Sequence, residues 1–598
     1  RSSAPVPART AFRSPRPAAG KDWRVPAMPR TLSAAVAVLC ILAGSVRAAP
    51  ASLPGTAPLE ARADTSAEMV AALHRRLDAL SREVSSARAA EWDANPAAEA
   101  RAGLIQRTRA ELARMTGVTG QRATTGRLEI IADPAFDGVA AKSAAFTVWG
   151  VRWSVVDGVQ AEGLLLRPSG EARALVVALP DADQTPELVT GLAPGLPAAR
   201  QFARRLAEAG CVVLVPTLLG RGDAASGNAA LGRFTNQPHR EWIYRQAFPL
   251  GHHPLGLEVR TVAAAIDCLR RDHASLPAGV AGWGEGALVA FLAGALDERI
   301  AVTAVSGHFG PREGLQAEPI YRNLFGLLRV AGDAELAQLV LPRTLVLEPA
   351  AAPSVEGPPA PRPNAAGAAP GMIRTPARSE FDREVARARR LAGTAASQLV
   401  VAEPASGPGP DFFSEATLRA FLDALAPRLV PLPPGEPPAE RRKESDPGER
   451  QTRIVRAWQG FLQEQIATSR GRRDDVFWKP NPPTTPERWT EAMRSHREAF
   501  AIRTIGRLAP ADTPLNPRSR LLSAKLGWTA HEVTLDVGPD VFAWGYLLQP
   551  ADIRPGERRP VVVAQHGLEG LPAELLEEDP ATRAFGTYKA FAVRLVER

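Results

Sequence analysis

The sequence predicts an α/β protein: a mostly parallel sheet with helices on both faces, preceded by a helical segment and followed by a partial second copy. Three observations predict it. Between residues 145 and 426, short continuous apolar runs alternate with helical periodicity, as strands buried on both faces require. A hairpin signal, Asp157-Gly158, joins the first two extended runs. Finally, GLLLRPSGEARALVVALPDADQTPE is echoed by GYLLQPADIRPGERRPVVVAQHGLEGLPAE, and Gln201-Phe202-Ala203-Arg204-Arg205-Leu206 by Ala590-Phe591-Ala592-Val593-Arg594-Leu595, in the same order, so the chain reads as two copies of one module.

Residues 1–27 are a leader without an assignable role. Residues 28–48 have the layout of a secretory signal peptide: basic Met28-Pro29-Arg30, the apolar run Leu32–Leu42, and the small-residue site Val46-Arg47-Ala48. The run is far shorter than the roughly 20 residues of a membrane span, so an exported protein without a membrane span is expected. Cys40 follows Leu39 and lacks the small residue that precedes a lipid-modified cysteine.

Residues 64–120 carry helical periodicity, with Val70, Leu73, Leu77 and Leu80 at three- and four-residue spacing. Strands are expected at Phe146–Val156, Glu162–Arg167, Ala174–Leu179, Cys211–Pro216, Gly279–Trp283, Ile300–Ser306, Thr344–Glu348 and Gln398–Ala402. Helices are expected between them at Ala198–Ala209, Leu257–Asp272, Gly286–Leu296, Ser379–Ala392 and Glu415–Leu425. Pro349–Ala377 reads as a flexible insertion, and the Pro-rich, charged stretch 427–450 as a linker. Residues 451–510 are a second helical preface. Residues 530–598 are a second module with strands at Glu532–Asp536 and Val541–Gln549, a buried strand Val561–Gln565 and an amphipathic helix from Ala584, within which the chain stops without a cap; the second copy is therefore expected to be cut short.

Composition narrows the function. Three cysteines, Cys40, Cys211 and Cys268, exclude a disulfide scaffold and a Cys-rich metal module; Cys211 and Cys268 are expected to be inert core thiols. The net charge is +8, and only six of the 72 basic residues are lysine. Arginine is spread along the chain without a basic cluster, which argues against nucleic-acid binding.

The chemistry-bearing frame is Gly282-Trp283-Gly284-Glu285-Gly286, at a strand-to-helix junction. It has the two glycines of a nucleophile elbow, which a tight, strained turn demands. The nucleophile position itself is Gly284, with no reactive side chain.

With this frame, LVLE ending the seventh strand and AQHGLEG in the second copy, the sequence resembles the α/β-hydrolase superfamily, and more closely the dienelactone hydrolase and acetyl-xylan-esterase-like secreted bacterial proteins. The resemblance implies serine-dependent ester hydrolysis, such as polysaccharide deacetylation. It needs no cofactor and takes a carbohydrate or small ester ligand. For the first module it implies the acid at Glu348, a histidine in the loop after the eighth strand, and a His-Gly oxyanion loop after the third. The loop Glu403–Asp411 contains no histidine, and the oxyanion loop reads Leu179-Pro180-Asp181. A first module without catalysis is expected. The alternative is a carboxylate nucleophile at Glu285, although sliding the turn onto it puts Trp283 where a small side chain is required; at the first turn of a helix, Glu285 also suits the helix dipole.

The long loop Leu219–Arg240 gathers Arg221, Asp223, Asn228, Asn236, Gln237, His239 and Arg240, followed by Glu241, Tyr244, His252 and His253. Asn236, Gln237, His239 and Arg240 are candidate ligand-binding residues at the sheet's carboxyl edge, or side chains that satisfy the loop's own backbone. Adjacent His252 and His253 point apart and have no third ligand at suitable spacing, so no metal is expected. His308 and Asp333 are weaker candidates for the pocket rim. In the second copy, His566-Gly567-Leu568 follows an apolar run and matches the oxyanion loop, with the Leu568 amide as a donor. Two readings remain: a serine esterase acting through its second module, or a binding or scaffold protein built from two hydrolase-like domains.

Overall fold

The computed structural model describes residues 51–95, 97–119, 126–132, 136–403, 412–442, 446–482, 485–506, 513–554 and 556–598. The leader, the signal peptide with Cys40, and residues 404–411 of the loop after the eighth strand lie outside the described residues. The chain divides into two units, one of residues 73–510 and one of residues 1–72 with 511–598.

The 73–510 unit is built on eight strands: β1 (Phe146–Val156), β2 (Val159–Pro168), β3 (Ala174–Leu179), β4 (Cys211–Pro216), β5 (Ala278–Trp283), β6 (Ile300–Ser306), β7 (Thr344–Glu348) and β8 (Leu399–Val401). Their spatial order is β1-β2-β4-β3-β5-β6-β7-β8. Of these eight, β2 alone runs against the common direction; the pairs from β4 to β8 are all parallel. This is the α/β-hydrolase topology. Short strands Glu129–Ile130 and Val139–Lys142 pair with β1, and Ala439–Glu440 extends that edge. Every residue of β3, β4 and β5 is buried, which explains why these runs are apolar without alternation.

The helices are α1 (Thr65–Ala94), α2 (Ala98–Thr116), α3 (Phe202–Glu208), α4 (His239–Ala247), α5 (Pro254–Asp272), α6 (Glu285–Leu296), α7 (Asp333–Val340), α8 (Arg378–Ala392), α9 (Glu415–Leu425) and α10 (Pro447–Arg473). Strand side chains alternate between two cores. Val176, Ala178 and Val213 pack with Phe202 and Leu206 of α3 and Phe421 and Leu422 of α9. Leu175, Val177 and Leu214 pack with α5, α6, α7 and α8 on the other face.

The helical preface docks on this second face, but through a different stripe from the one the periodicity suggests. Val70, Leu73 and Leu77 are exposed, whereas Arg88 and Trp92 are buried. The end of α2 lies so close to α5 that a Cβ on Gly256 would stand 1.8 Å from the Thr116 carbonyl. Helix α10, read from the sequence as the preface of the second copy, starts within the Pro-rich stretch and packs here. Arg450 pairs with Glu187 at 2.7 and 2.9 Å, and Val455, Trp458 and Leu462 join the core. Its amphipathic pattern specifies a buried face but not which sheet buries it.

In the other unit, Arg518–Ala524, Trp528–Gly538 and Val541–Pro550 form an antiparallel meander, and Ala57–Pro58 adds a parallel strand beside the first. Arg583–Tyr588 and Phe591–Val596 are two short helices, where one was expected. The buried strand expected at Val561–Gln565 does not form: Val561, Val562 and Val563 are 84%, 63% and 90% exposed. A doubly buried strand requires a neighbour on each side, and no described strand pairs with this run.

Candidate active site

The junction between β5 and α6 keeps the elbow geometry. Gly284 has φ +60° and ψ −120°, a conformation that disfavours any side chain. A Cβ on Gly282 would stand 2.2 Å from the Gly286 carbonyl, and one on Gly286 would stand 2.2 Å from the Leu179 carbonyl, so both flanking glycines are imposed by close backbone approach. A Cβ on Gly284 would meet Asp181 Oδ1 and Pro353 Cγ, each at 2.6 Å. The nucleophile position therefore lacks a side chain and is closed against one.

The oxyanion donors are also engaged. In this fold they are the amide after the nucleophile and an amide from the loop after β3. The Glu285 N–H donates to Asp181 Oδ1 at 2.9 Å, and the Asp181 N–H donates to Gln184 Oε1 at 3.2 Å. A carboxylate of the chain itself thus occupies the place of a developing oxyanion.

Asp181 is held by Arg221, whose Nη1 and Nη2 donate to its two oxygens at 2.6 and 3.0 Å. Arg221 also reaches Glu285 at 3.2 Å and the Tyr321 hydroxyl at 3.2 Å. Arg240 donates to both oxygens of Glu258, at 2.7 and 2.9 Å, and to Glu285 at 3.2 Å. Arg322 lies 3.4 Å from Glu285 and donates to His308 Nδ1 at 2.9 Å. Burial alone would raise the Glu285 carboxyl; Arg240, Arg322 and Arg221 outweigh it and hold the group at about 2. Glu285 is a charge at the centre of a buried ion network, with neither oxygen open to a substrate.

Glu348 stands at the acid position but faces no imidazole. It accepts from Ser306 Oγ at 2.5 Å, the Phe413 N–H at 2.7 Å, the Ser414 N–H at 2.8 Å and Thr417 Oγ1 at 2.6 Å. It serves as an anionic cap on the start of α9. Beside the elbow, Phe412 stacks on Trp283 with centroids 4.1 Å apart, and Trp283 Nε1 donates to the Ala351 carbonyl at 2.9 Å.

The insertion after β7, expected to be flexible, is pinned across this edge of the sheet. Asn236 donates to the Pro359 carbonyl and accepts from the Ala368 N–H, Gln237 donates to the Gly367 carbonyl, Glu241 accepts from the Ala369 N–H, and Arg362 pairs with Asp223. The candidate binding residues thus satisfy backbone groups of the insertion or, as with Arg240, the ion network. His239 Nε2 accepts the Ala225 N–H, and burial holds the ring down at about 4. Burial also lowers His252, His308 and His253, the last to about 3. Asp333 is buried at the start of α7, where it accepts the Gly310 N–H. Burial pushes the Cys211 and Cys268 thiols up to about 12. No group of three His, Cys, Asp or Glu among the described residues is placed to hold a metal, and no described helix is long and apolar enough to cross a membrane.

Sequence reasoning missed Asp181 as an actor, together with Glu258, Arg322 and Tyr321. The available signal was the acidic residue in Leu179-Pro180-Asp181, standing where the resemblance asks for His-Gly. In the other unit, His566-Gly567-Leu568 forms an exposed turn. The Gly567 N–H donates to the Tyr588 hydroxyl at 2.9 Å, and Leu568 is 98% exposed.

No family model matches the chain, and no curated protein matches it. Among solved structures, it is similar to a Bacteroides fragilis protein assigned by its name to the acetyl xylan esterases, at 12% identity and a TM-score of 0.37, over 51% of this chain and 74% of that one. It is also similar to methylesterase BT1017, at 15% identity and a TM-score of 0.35, over 53% of this chain and 62% of that one. A glucuronoyl esterase from Solibacter usitatus aligns at 14% identity and a TM-score of 0.30, over 49% of this chain and 87% of that one.

Proposed function

We propose that residues 73–510 form a non-catalytic α/β-hydrolase module that serves binding or scaffolding in an exported, esterase-type protein. Ester hydrolysis, of the acetyl-ester or polysaccharide-deacetylating kind, is assigned to the second copy. One observation carries the reading of the first module: the Asp181 carboxylate sits on the Glu285 amide beside a Gly284 whose side-chain position is closed. Without a nucleophile, a free oxyanion donor or an imidazole at the elbow, acyl transfer has no route.

Support for the second copy comes from its meander. Arg518–Ala524, Trp528–Gly538 and Val541–Pro550 pair in the same order and sense as Val139–Lys142, β1 and β2. The His566-Gly567 pair supplies an oxyanion-loop signature after it. Export rests on the signal-peptide layout of residues 28–48.

The test is hydrolysis of nitrophenyl acetate by the full chain. The expected result is no turnover above a heat-killed control, because the 598 residues carry no Gly-x-Ser-x-Gly frame in either copy. Turnover that survives serine-reactive phosphonates and disappears in Glu285→Gln would establish a carboxylate mechanism and overturn the reading. For the second copy, an elbow decides: Gly-x-Ser-x-Gly followed by Asp and His supports the esterase, and Gly-x-Gly-x-Gly supports a protein built only for binding.

A further inference from the structure

Helix α10 carries Arg456, Gly460, Glu464, Thr468 and Arg472 at four-residue spacing, which places them along one stripe. That stripe lines a cleft of about 1220 Å³ whose facing wall includes Asp157, Gly158 and His252. The cleft opens at the carboxyl edge of the sheet, just beyond the end of β1. Past Arg456 and Gly460 it continues into a smaller hollow of about 440 Å³ at Asn228, Gln459 and Gln463. From Arg456 to Arg472 the helix rises about 24 Å, room for an extended chain of several polar units.

The charges here differ from those at the elbow. Arg221, Arg240 and Arg322 are all paired with carboxylates. Among the described residues, Arg456 donates to the Gly227 carbonyl and to Gln459 and pairs with no carboxylate, and Arg472 has no hydrogen-bond or ion-pair partner. Guanidinium groups presented in a concavity without an anion suit planar carboxylates, which they bind bidentately. Glu464 and Asp157 lie in the same cleft and accept readily from hydroxyls, as does the carbonyl oxygen of Gln463. The half-buried ring of Phe461 adds an apolar wall on which a sugar face can rest.

We propose that this cleft binds an acidic oligosaccharide, a sugar chain that presents both carboxylates and hydroxyls. A neutral glycan would leave the two guanidiniums without an anion, and an acidic peptide would offer no hydroxyls to Glu464 and Asp157. The proposal does not depend on the elbow being inactive.

The experiment is calorimetric titration of the full chain with tetragalacturonate at low salt, with xylotetraose and tetraglutamate as the neutral and peptidic probes. The expected result is binding of tetragalacturonate that weakens with added salt, that is at least tenfold weaker in Arg456→Gln/Arg472→Gln, and that is lost in Gly460→Leu. Nothing lies within 4 Å of the Cβ position of Gly460, so leucine there fills the cleft without disturbing the fold. Its thermal midpoint is expected to stay at or above that of the parent, because leucine is the better helix former. The proposal is overturned by no binding of tetragalacturonate, by binding unchanged in both variants, or by equal or tighter binding of xylotetraose or tetraglutamate. Each readout is separate from ester hydrolysis.

Discussion

The carboxylate of Asp181 lies 2.9 Å from the amide nitrogen of Glu285, across 104 residues of sequence. The amide that would steady a developing negative charge is thereby supplied with a permanent one. Arg221 fixes that carboxylate from behind, and Arg221, Arg240 and Arg322 surround Glu285. The strained elbow backbone is packed against a buried ion network.

Gly284→Ser is expected to add a hydroxyl without adding catalysis. The new Cβ meets Asp181 and Pro353 at 2.6 Å in a backbone conformation hostile to side chains. Strain alone is of the order of 1–3 kcal/mol. Nitrophenyl acetate assays should match the parent, and chemical unfolding should show a lower stability. Appearance of phosphonate-sensitive turnover in this variant would mean that Asp181 leaves the amide free.

Glu285→Gln tests the network through pH. In the fold the carboxyl sits at about 2, below its ordinary 4.5, so the folded state binds fewer protons than the unfolded state between those values. Its contribution is therefore fully present above about pH 4.5 and fades as pH falls toward 2. At pH 7 the substitution should cost roughly 3 kcal/mol, and the gap to the parent should narrow progressively below pH 4.5 in urea titrations. A gap that stays constant from pH 7 to pH 3 would show that the carboxylate is not held by its arginines.

The different fates of these features explain what the sequence makes legible. β3, β4 and β5 are readable because burial on both faces leaves a continuous apolar run, and the elbow is readable because close backbone approach imposes Gly282 and Gly286. The contact of Asp181 with Glu285 has no periodicity and no local spacing; it exists only once the loop after β3 is laid beside the start of α6. Arg322 joins the network from a segment with no motif at all. The covered face of α1 is not legible for a related reason: leucine spacing identifies a helix, but the neighbours decide that Arg88 and Trp92, rather than Leu73 and Leu77, are covered.

Glu384 is expected to behave in the opposite sense to Glu285. Burial raises it, and the charges of Asp333, Glu335 and Glu313 raise it further against the Ala334 N–H that it accepts, to about 7. A carboxyl whose folded value exceeds its unfolded value destabilises the fold once pH rises above the unfolded value, with the full cost reached above about pH 7. Glu384→Gln keeps the acceptor and removes the charge. It should stabilise the protein by about 1–3 kcal/mol at pH 8 and change little at pH 4. Equal thermal midpoints for parent and variant at both pH values would refute the buried carboxylate cluster.

Val562 and Val177 lie in runs that look alike in the sequence, yet they occupy opposite environments. Val177 is 1% exposed at the centre of β3, between two parallel neighbours, whereas Val562 is 63% exposed and outside any strand. A charge at Val177 must be buried without a partner and removes apolar contact, a combination that costs several kcal/mol. A lysine at Val562 enters water and should change stability by no more than about 0.5 kcal/mol. Val177→Lys is thus expected to prevent folding of the large sheet, and Val562→Lys to leave the unfolding midpoint and the far-ultraviolet spectrum in place. A strong loss of stability in Val562→Lys would mean that the 561–565 run is covered after all, by a partner strand that only association or a further segment can provide.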